Sequence, residues 1–219
     1  MTFSLLARDP ESGALGGASA TGNLCVGGWV LRGRAGIGVS ASQGHYPSTL
    51  WGEGVLDAFA TGAGPEQAIK DTVMADEGRS SRQLLGLDQK GRGGTFSGAA
   101  NIPIIMDHVQ PDLCASGNML ARREVITAPI EGYMTSDGSL VHRLLAGLQL
   151  GAKSGGDARG LMSAAILIVS RDHPPIDIRI DYAPDPLDAL SDLVSRIEER
   201  EYVDWMTALP TPLIPYPNH

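Results

Sequence analysis

"TFSLLARDPESGALGGASAT", residues 2–21, sets the architecture. Phe3 to Arg8 reads as a strand, "DPESG" as a turn through Pro10 and Gly13, and "ALGGASAT" as the strand that returns beside it, so the chain opens on a hairpin. Next come "LCVGGWVLRG" and "AGIGVSAS", rich in Val, Ile and small residues, which read as two more strands joined by a turn at Arg34 and Ala35. A first sheet is then complete by Ser42. Thr2, the residue that heads this hairpin, is either the first position of an edge strand or a nucleophile waiting to be uncovered.

Beyond the "SQGHYP" loop the apolar period lengthens. Trp51, Val55 and Phe59 recur at helical spacing with Gly62 at the end, and a second helix begins at Pro65, where Glu66 complements the dipole. "QLLGLDQKGRGGTFSGA" is a strand, a turn and a strand, and "DLCASGNML" a third strand running to Gly117. Helices follow over about 124–133 and 140–152. "SAAILIVS" is an apolar run with no solvent face and must be covered on both sides, whereas "PIDIRIDY" alternates and reads as an outer strand. A last helix starts with Asp185 as cap and Pro186 in the first turn, burying Leu187, Leu190, Val194 and Ile197. The Pro-rich stretch 208–219 closes the chain as an extended tail. This order breaks strict strand-helix alternation and so argues against a doubly wound parallel sheet. An α+β arrangement of two sheets flanked by helices fits it better.

At 219 residues one domain is the expectation. No apolar stretch approaches the ~20 residues of a spanning helix, so no membrane partner is expected. The start shows no basic segment followed by an apolar core and cleavage site, which leaves cytoplasmic residence as the default. A formal charge of −8 with scattered Lys and Arg offers no face for phosphates, so nucleic acid is a poor partner. Cys25 and Cys114 stand far apart in apolar surroundings and read as buried thiols, and without CxxC, HExxH or a His cluster no metal and no cofactor is expected. The apolar tail prompts the expectation of a homodimer.

"TFSLLARDPESGALG", "AGIGVSASQG" (35–44), "SGNMLA" (116–121), "SGGDARG" (154–160) followed by "SAAILIV", and "DIRIDYAPDP" span nearly the whole chain in fixed order. On these stretches the protein resembles the family catalogued as domain of unknown function 1028. With its Thr-headed first strand it also resembles the N-terminal nucleophile hydrolases. The resemblance implies a four-layer αββα sandwich and cleavage of a C–N bond, amide or lactam-like, in a small molecule or peptide. "ATGNLCVGGWV" (20–30) and "HYPSTLWGEG" (45–54) depart from the pattern, and substrate choice is what these two stretches bear on.

For that chemistry Thr2 would supply the attacking hydroxyl and, once Met1 is removed, its own α-amine as base. Gln43 and Gly44 in "SQG" sit where the resembling hydrolases place a backbone N–H beside the nucleophile; a plain strand-to-helix turn is the other reading. Asn118 either steadies a carbonyl or is a turn residue beside Gly117. The resemblance gives Ser163 a hydrogen bond to the threonine amine. Ser42 and His45 flank the loop as substrate-binding candidates, and Asp157 with Arg159 either hold a charged substrate group or cap a glycine-rich loop. Where proteasome-like enzymes use an early-strand lysine, this chain has Arg32 and Arg34, which stay protonated and supply only field and hydrogen bonds. A weaker alternative attacks through Ser42 or Cys25. The rival to hydrolysis is a non-catalytic module that keeps the sandwich for binding or assembly.

Overall fold

The computed structural model describes residues 2–155 and 160–217. The opening hairpin forms as read, β1 (Thr2–Arg8) against β2 (Leu15–Thr21). "LCVGGWVLRG" does not form a single strand: Val26–Trp29 make a short helix, α1, and only Leu31–Arg34 extend as β3. The physical reason lies in the glycines. A Cβ on Gly27 would sit 2.8 Å from the Ala165 Cβ, so only glycine lets this turn press against the sheet, and Cys25 enters it with φ 59°.

β4 (Gly38–Gly44) leads into α2 (Thr49–Ala60) and α3 (Pro65–Met74), then a 3₁₀ turn, Glu77–Ser81. β5 (Arg82–Asp88) and β6 (Gly93–Ser97) follow, then β7 (Met106–Gln110), which the sequence reading missed, and β8 (Leu113–Asn118). Helices α4 (Glu124–Thr135) and α5 (Leu140–Lys153) precede β9 (Ser163–Val169), β10 (Ile176–Ile180), α6 (Pro186–Arg196) and α7 (Arg200–Thr207). Asp185 occupies the N-cap of α6 but makes no side-chain cap hydrogen bond, so Pro186 at the first turn and the buried Leu187, Leu190 and Val194 hold that helix. The described part of the tail is exposed at Leu213, Ile214 and Tyr216, with the Leu213 N–H on the Arg171 carbonyl at 2.9 Å.

Two antiparallel sheets result, a six-stranded one ordered β10-β9-β2-β1-β8-β7 and a four-stranded one ordered β3-β4-β5-β6. Alternation along β1 sorts its side chains into two cores. Phe3, Leu5 and Ala7 pack with Leu144, Leu148 and Leu190 of the covering helices, while Leu6 faces Val39, Leu85 and Leu87 of the other sheet. Trp51, Val55, Phe59 and Ile69 close the far side of the small sheet. The molecule is therefore a sandwich of two sheets with helices on both outer faces. β1 lies inside its sheet, paired on both edges, so Thr2 does not begin an edge strand.

Between the sheets the cross-strand rows change character toward one end. Cys114, Leu6, Gly17 and Leu167 form an apolar row; Ser116, Ser4, Ser19 and Ala165 form the next; Asn118, Thr2, Thr21 and Ser163 form the last. Residues opposite one another in antiparallel strands share a face, so the inter-sheet cleft grades from hydrocarbon to hydroxyl and amide.

Candidate functional site

The polar end of the cleft opens into a cavity of about 510 Å³, of the size small-molecule sites occupy (roughly 300–1,000 Å³). Its floor carries Thr2, Thr21, Asn23, Gln43 and Asn118. Thr2 Oγ1 lies 3.0 Å from Thr21 Oγ1, across the β1–β2 pairing. On its other side Thr2 faces Asn118 of β8. Of the residues singled out from sequence, Thr2, Gln43, Gly44, His45 and Asn118 line this one cavity.

Gln43 and Asn118 are held by contacts between the sheets. The Gln43 side chain, 1% exposed, donates to Gln83 Oε1 at 2.7 Å and to the Ser116 carbonyl at 3.1 Å, and accepts from Ser4 Oγ at 2.6 Å. Asn118 Nδ2 donates to the same Gln83 oxygen at 3.1 Å. Gln83 itself donates to Ser97 Oγ at 2.7 Å and to the Gly117 carbonyl at 3.2 Å. This amide network is buried in low dielectric, with Gln43 and Gln83 each bonded at both oxygen and nitrogen, the condition under which polar groups rigidify a core.

Gly44 takes φ 126°, and a Cβ there would meet the Ser81 carbonyl oxygen at 2.7 Å. Asn101 staples the loop beyond it: its Oδ1 accepts from the His45 N–H at 3.0 Å, and its Nδ2 donates to the Arg82 carbonyl at 2.8 Å. Arg82 pairs with Asp76 at 2.7 Å and donates to the Tyr46 carbonyl. The Arg82 guanidinium, helped by the Gly78 N–H, holds the Asp76 carboxyl below its ordinary pKa of 3.8 against the opposing effect of desolvation.

Other expected residues lie elsewhere. Ser42 is buried and shares a strand face with Ser40, whose hydroxyl donates to the Gly52 carbonyl of α2, so it points away from the cavity. Ser163 Oγ donates to the Asn23 carbonyl at 2.7 Å and accepts from the Val26 N–H at 3.1 Å. Its one hydroxyl hydrogen is thus committed to the loop that bears α1, and it stands two strands from Thr2. Arg32 and Arg34 pair with Glu53 and Asp57 of α2. Asp157 and Arg159 lie outside the described residues. Burial raises the Cys114 thiol pKa well above its ordinary value, and the Asp107 charge adds to the rise, leaving it a neutral core group. Among the described residues no three His, Cys, Asp or Glu gather to hold a metal ion.

Sequence reasoning missed Thr21, Asn23, Trp29, Tyr46, Gln83, Asn101, Ile102 and Met119. Thr21 was recoverable, because it ends the second strand of a hairpin whose first strand begins at Thr2. Asn101 and Gln83 carried no such signal. Both stretches noted as departing from the family pattern, 20–30 and 45–54, contribute to the cavity.

Hairpin, paired sheets and a polar cavity at the head of β1 define an α+β sandwich with its candidate site between the sheets. The chain belongs to the family of unknown function DUF1028, whose family model matches residues 2–190. It is 44% identical to protein SPO2555 from Silicibacter pomeroyi, a protein assigned to the same family. The crystal structure of that protein aligns over 97% of this chain and 96% of that one with a TM-score of 0.93. No protein of curated function matches. Among the described residues no helix is long and apolar enough to cross a membrane.

Proposed function

We propose that this protein is an N-terminal-nucleophile amidohydrolase that cleaves an amide or lactam-like C–N bond in a small molecule or peptide. The observation that carries the reading is the position of Thr2. It heads an interior strand, its hydroxyl is 3.0 Å from Thr21 Oγ1, and it lines the same cavity as Gly44 and Asn118.

Removal of Met1 turns the Thr2 nitrogen from an amide into an amine of pKa about 7.7–8.0, suited to take a proton near neutrality. The Thr2 hydroxyl then adds to the substrate carbonyl while its proton passes to that amine. Negative charge collects on the former carbonyl oxygen. Asn118 supports the reading here, since an amide NH₂ carries two hydrogens and only one is needed for Gln83. Collapse expels the amine, which leaves with the proton held by the Thr2 nitrogen. Water then attacks the Thr2 ester, frees the acid and restores the hydroxyl. Thr21, hydrogen-bonded to the Thr2 hydroxyl, sets the direction of that oxygen.

Intact mass on protein from native cells and turnover of an amide and lactam panel test the proposal. Loss of Met1, with turnover that falls at least ~10³-fold in Thr2→Ala, is the expected result. Retained Met1, or unchanged turnover in Thr2→Ala, overturns it, and the former favours a binding module.

A further inference from the structure

The rim of the cavity is built differently from its floor. Leu24 is 46% exposed, Trp29 57%, Tyr46 63% and Ile102 38%, and all four border the one opening. A scattered exposed apolar residue needs no explanation, but four lining one cavity whose floor is polar do. Among the described residues, none of those lining the cavity is Asp, Glu, Lys or Arg. His45 lines the cavity, and the arginines packed on its elements are paired, Arg82 with Asp76, Arg32 with Glu53 and Arg179, which lies against Gly28, with Asp177.

Trp29 is carried by α1, and α1 is anchored from behind. The Cys25 N–H donates to the Asp181 carbonyl at 3.0 Å, the Val26 N–H to Ser163 Oγ, and Gly27 presses on Ala165. An indole held out toward solvent on an anchored turn presents a large flat face and has only two side-chain torsions to fix when it packs against a flat partner.

We infer that the cavity takes an uncharged amide bearing an aromatic or similarly flat apolar group, its amide on the Thr2–Thr21–Asn118 floor and its ring against Trp29. This rests on the hydrolase reading for which end of the ligand meets Thr2. Its discrimination follows from burial. A carboxylate or ammonium on the ring would sit among Leu24, Trp29, Tyr46 and Ile102, away from the Thr2 amine at the floor and with no Asp, Glu, Lys or Arg lining the cavity beside it, whereas an unsubstituted ring removes exposed hydrocarbon on both sides.

The test measures binding by calorimetry to Met1-processed Thr2→Ala protein, so that turnover does not intervene. Probes are acetanilide, its 4-carboxylate and its 4-aminomethyl analogue. Acetanilide is expected to bind at least ~10-fold tighter than either charged analogue. Trp29→Ala is expected to weaken acetanilide ~10-fold, with an unchanged melting temperature because the indole is mostly outside the core. Equal or tighter binding of a charged analogue, no effect of Trp29→Ala, or no binding of acetanilide at millimolar concentration overturns the inference. Selective binding in Thr2→Ala without turnover in the wild type would sink the hydrolase reading alone. Turnover confined to charged amides would sink the substrate class alone.

Discussion

Gln43 and Gln83 stand directly opposite each other on β4 and β5, and the amide nitrogen of the first lies 2.7 Å from the amide oxygen of the second. Both reach out of the small sheet to the large one, Gln43 to the Ser116 carbonyl and Gln83 to that of Gly117. Because Gln83 Oε1 also receives Asn118 Nδ2, one oxygen orients two amides of the cavity floor. The contact between the sheets and the geometry of the site are therefore one structure.

Gln83→Leu removes that oxygen and strands two buried donors, each costing about 1–3 kcal/mol when left unpaired. The expected loss is about 2–4 kcal/mol, read as a fall of roughly 4–16 °C in melting temperature for a chain of this size. A change under 1 °C would show that the network is not fastening the sheets.

Gly44 gives a second prediction, with its own control. Alanine there meets backbone at 2.7 Å in a conformation with φ 126°, and strain and overpacking together should cost about 3–5 kcal/mol. Gly62 also has positive φ, 93°, but nothing lies within 4 Å of a Cβ there. Gly62→Ala should therefore cost only the conformational part, about 1–2 kcal/mol. Denaturant titration of both variants checks the ordering, and equal costs would refute the close approach at Gly44.

How far the chain could be read without coordinates follows from where its order comes from. The hairpin, the buried strand at 163–169 and the helix from Pro186 have local periods that match their burial, and each formed close to where the pattern put it. β7 did not announce itself: Met106–Gln110 is an outermost strand whose positions are all partly or fully exposed, so it has no apolar alternation to detect. α1 is four residues long, too short to display a helical period, and its Val and Trp are typical of strands. At the cavity, Thr2, Gln43 and Gly44 were singled out through the resemblance to N-terminal nucleophile hydrolases, and Asn118 through its strand end beside Gly117. Gln83 was not, because a glutamine that opens "QLLGLD" looks like any strand start until the second sheet is laid over it.

Acid should weaken the rim through Asp76. Its folded pKa lies below the ordinary 3.8, chiefly because Arg82 donates to it, so the stabilisation is complete above the ordinary carboxylate value. It is lost as pH falls through the lower folded value. Asp76→Asn keeps an oxygen for the Gly78 N–H but loses the charge facing Arg82, which also holds the Tyr46 carbonyl. The stability gap between wild type and Asp76→Asn should be constant from pH 5 to 7, shrink below pH ~4 and close under the folded pKa. A gap independent of pH down to 2 would show that the pair's charge does not contribute.

Ser163 provides the last test, because its hydroxyl connects the sheet to the element that carries Trp29. Ser163→Ala leaves the Val26 N–H, on a residue 2% exposed, without its acceptor and the Asn23 carbonyl without its donor. α1 has no side-chain cap to compensate, so a cost of about 1–3 kcal/mol should fall mainly on residues 23–30. Amide hydrogen exchange in that segment should accelerate about 10- to 100-fold while the amides of β1 keep their protection, and acetanilide affinity should fall along with it. A serine that served only the core would give the opposite pattern: a uniform loss of protection through β9, β2 and β1, with affinity unchanged at temperatures where the protein remains folded. A local effect would mean that the polar row of Asn118, Thr2, Thr21 and Ser163 divides its work, with Thr2 and Thr21 facing the ligand and Ser163 fixing the wall against which it packs.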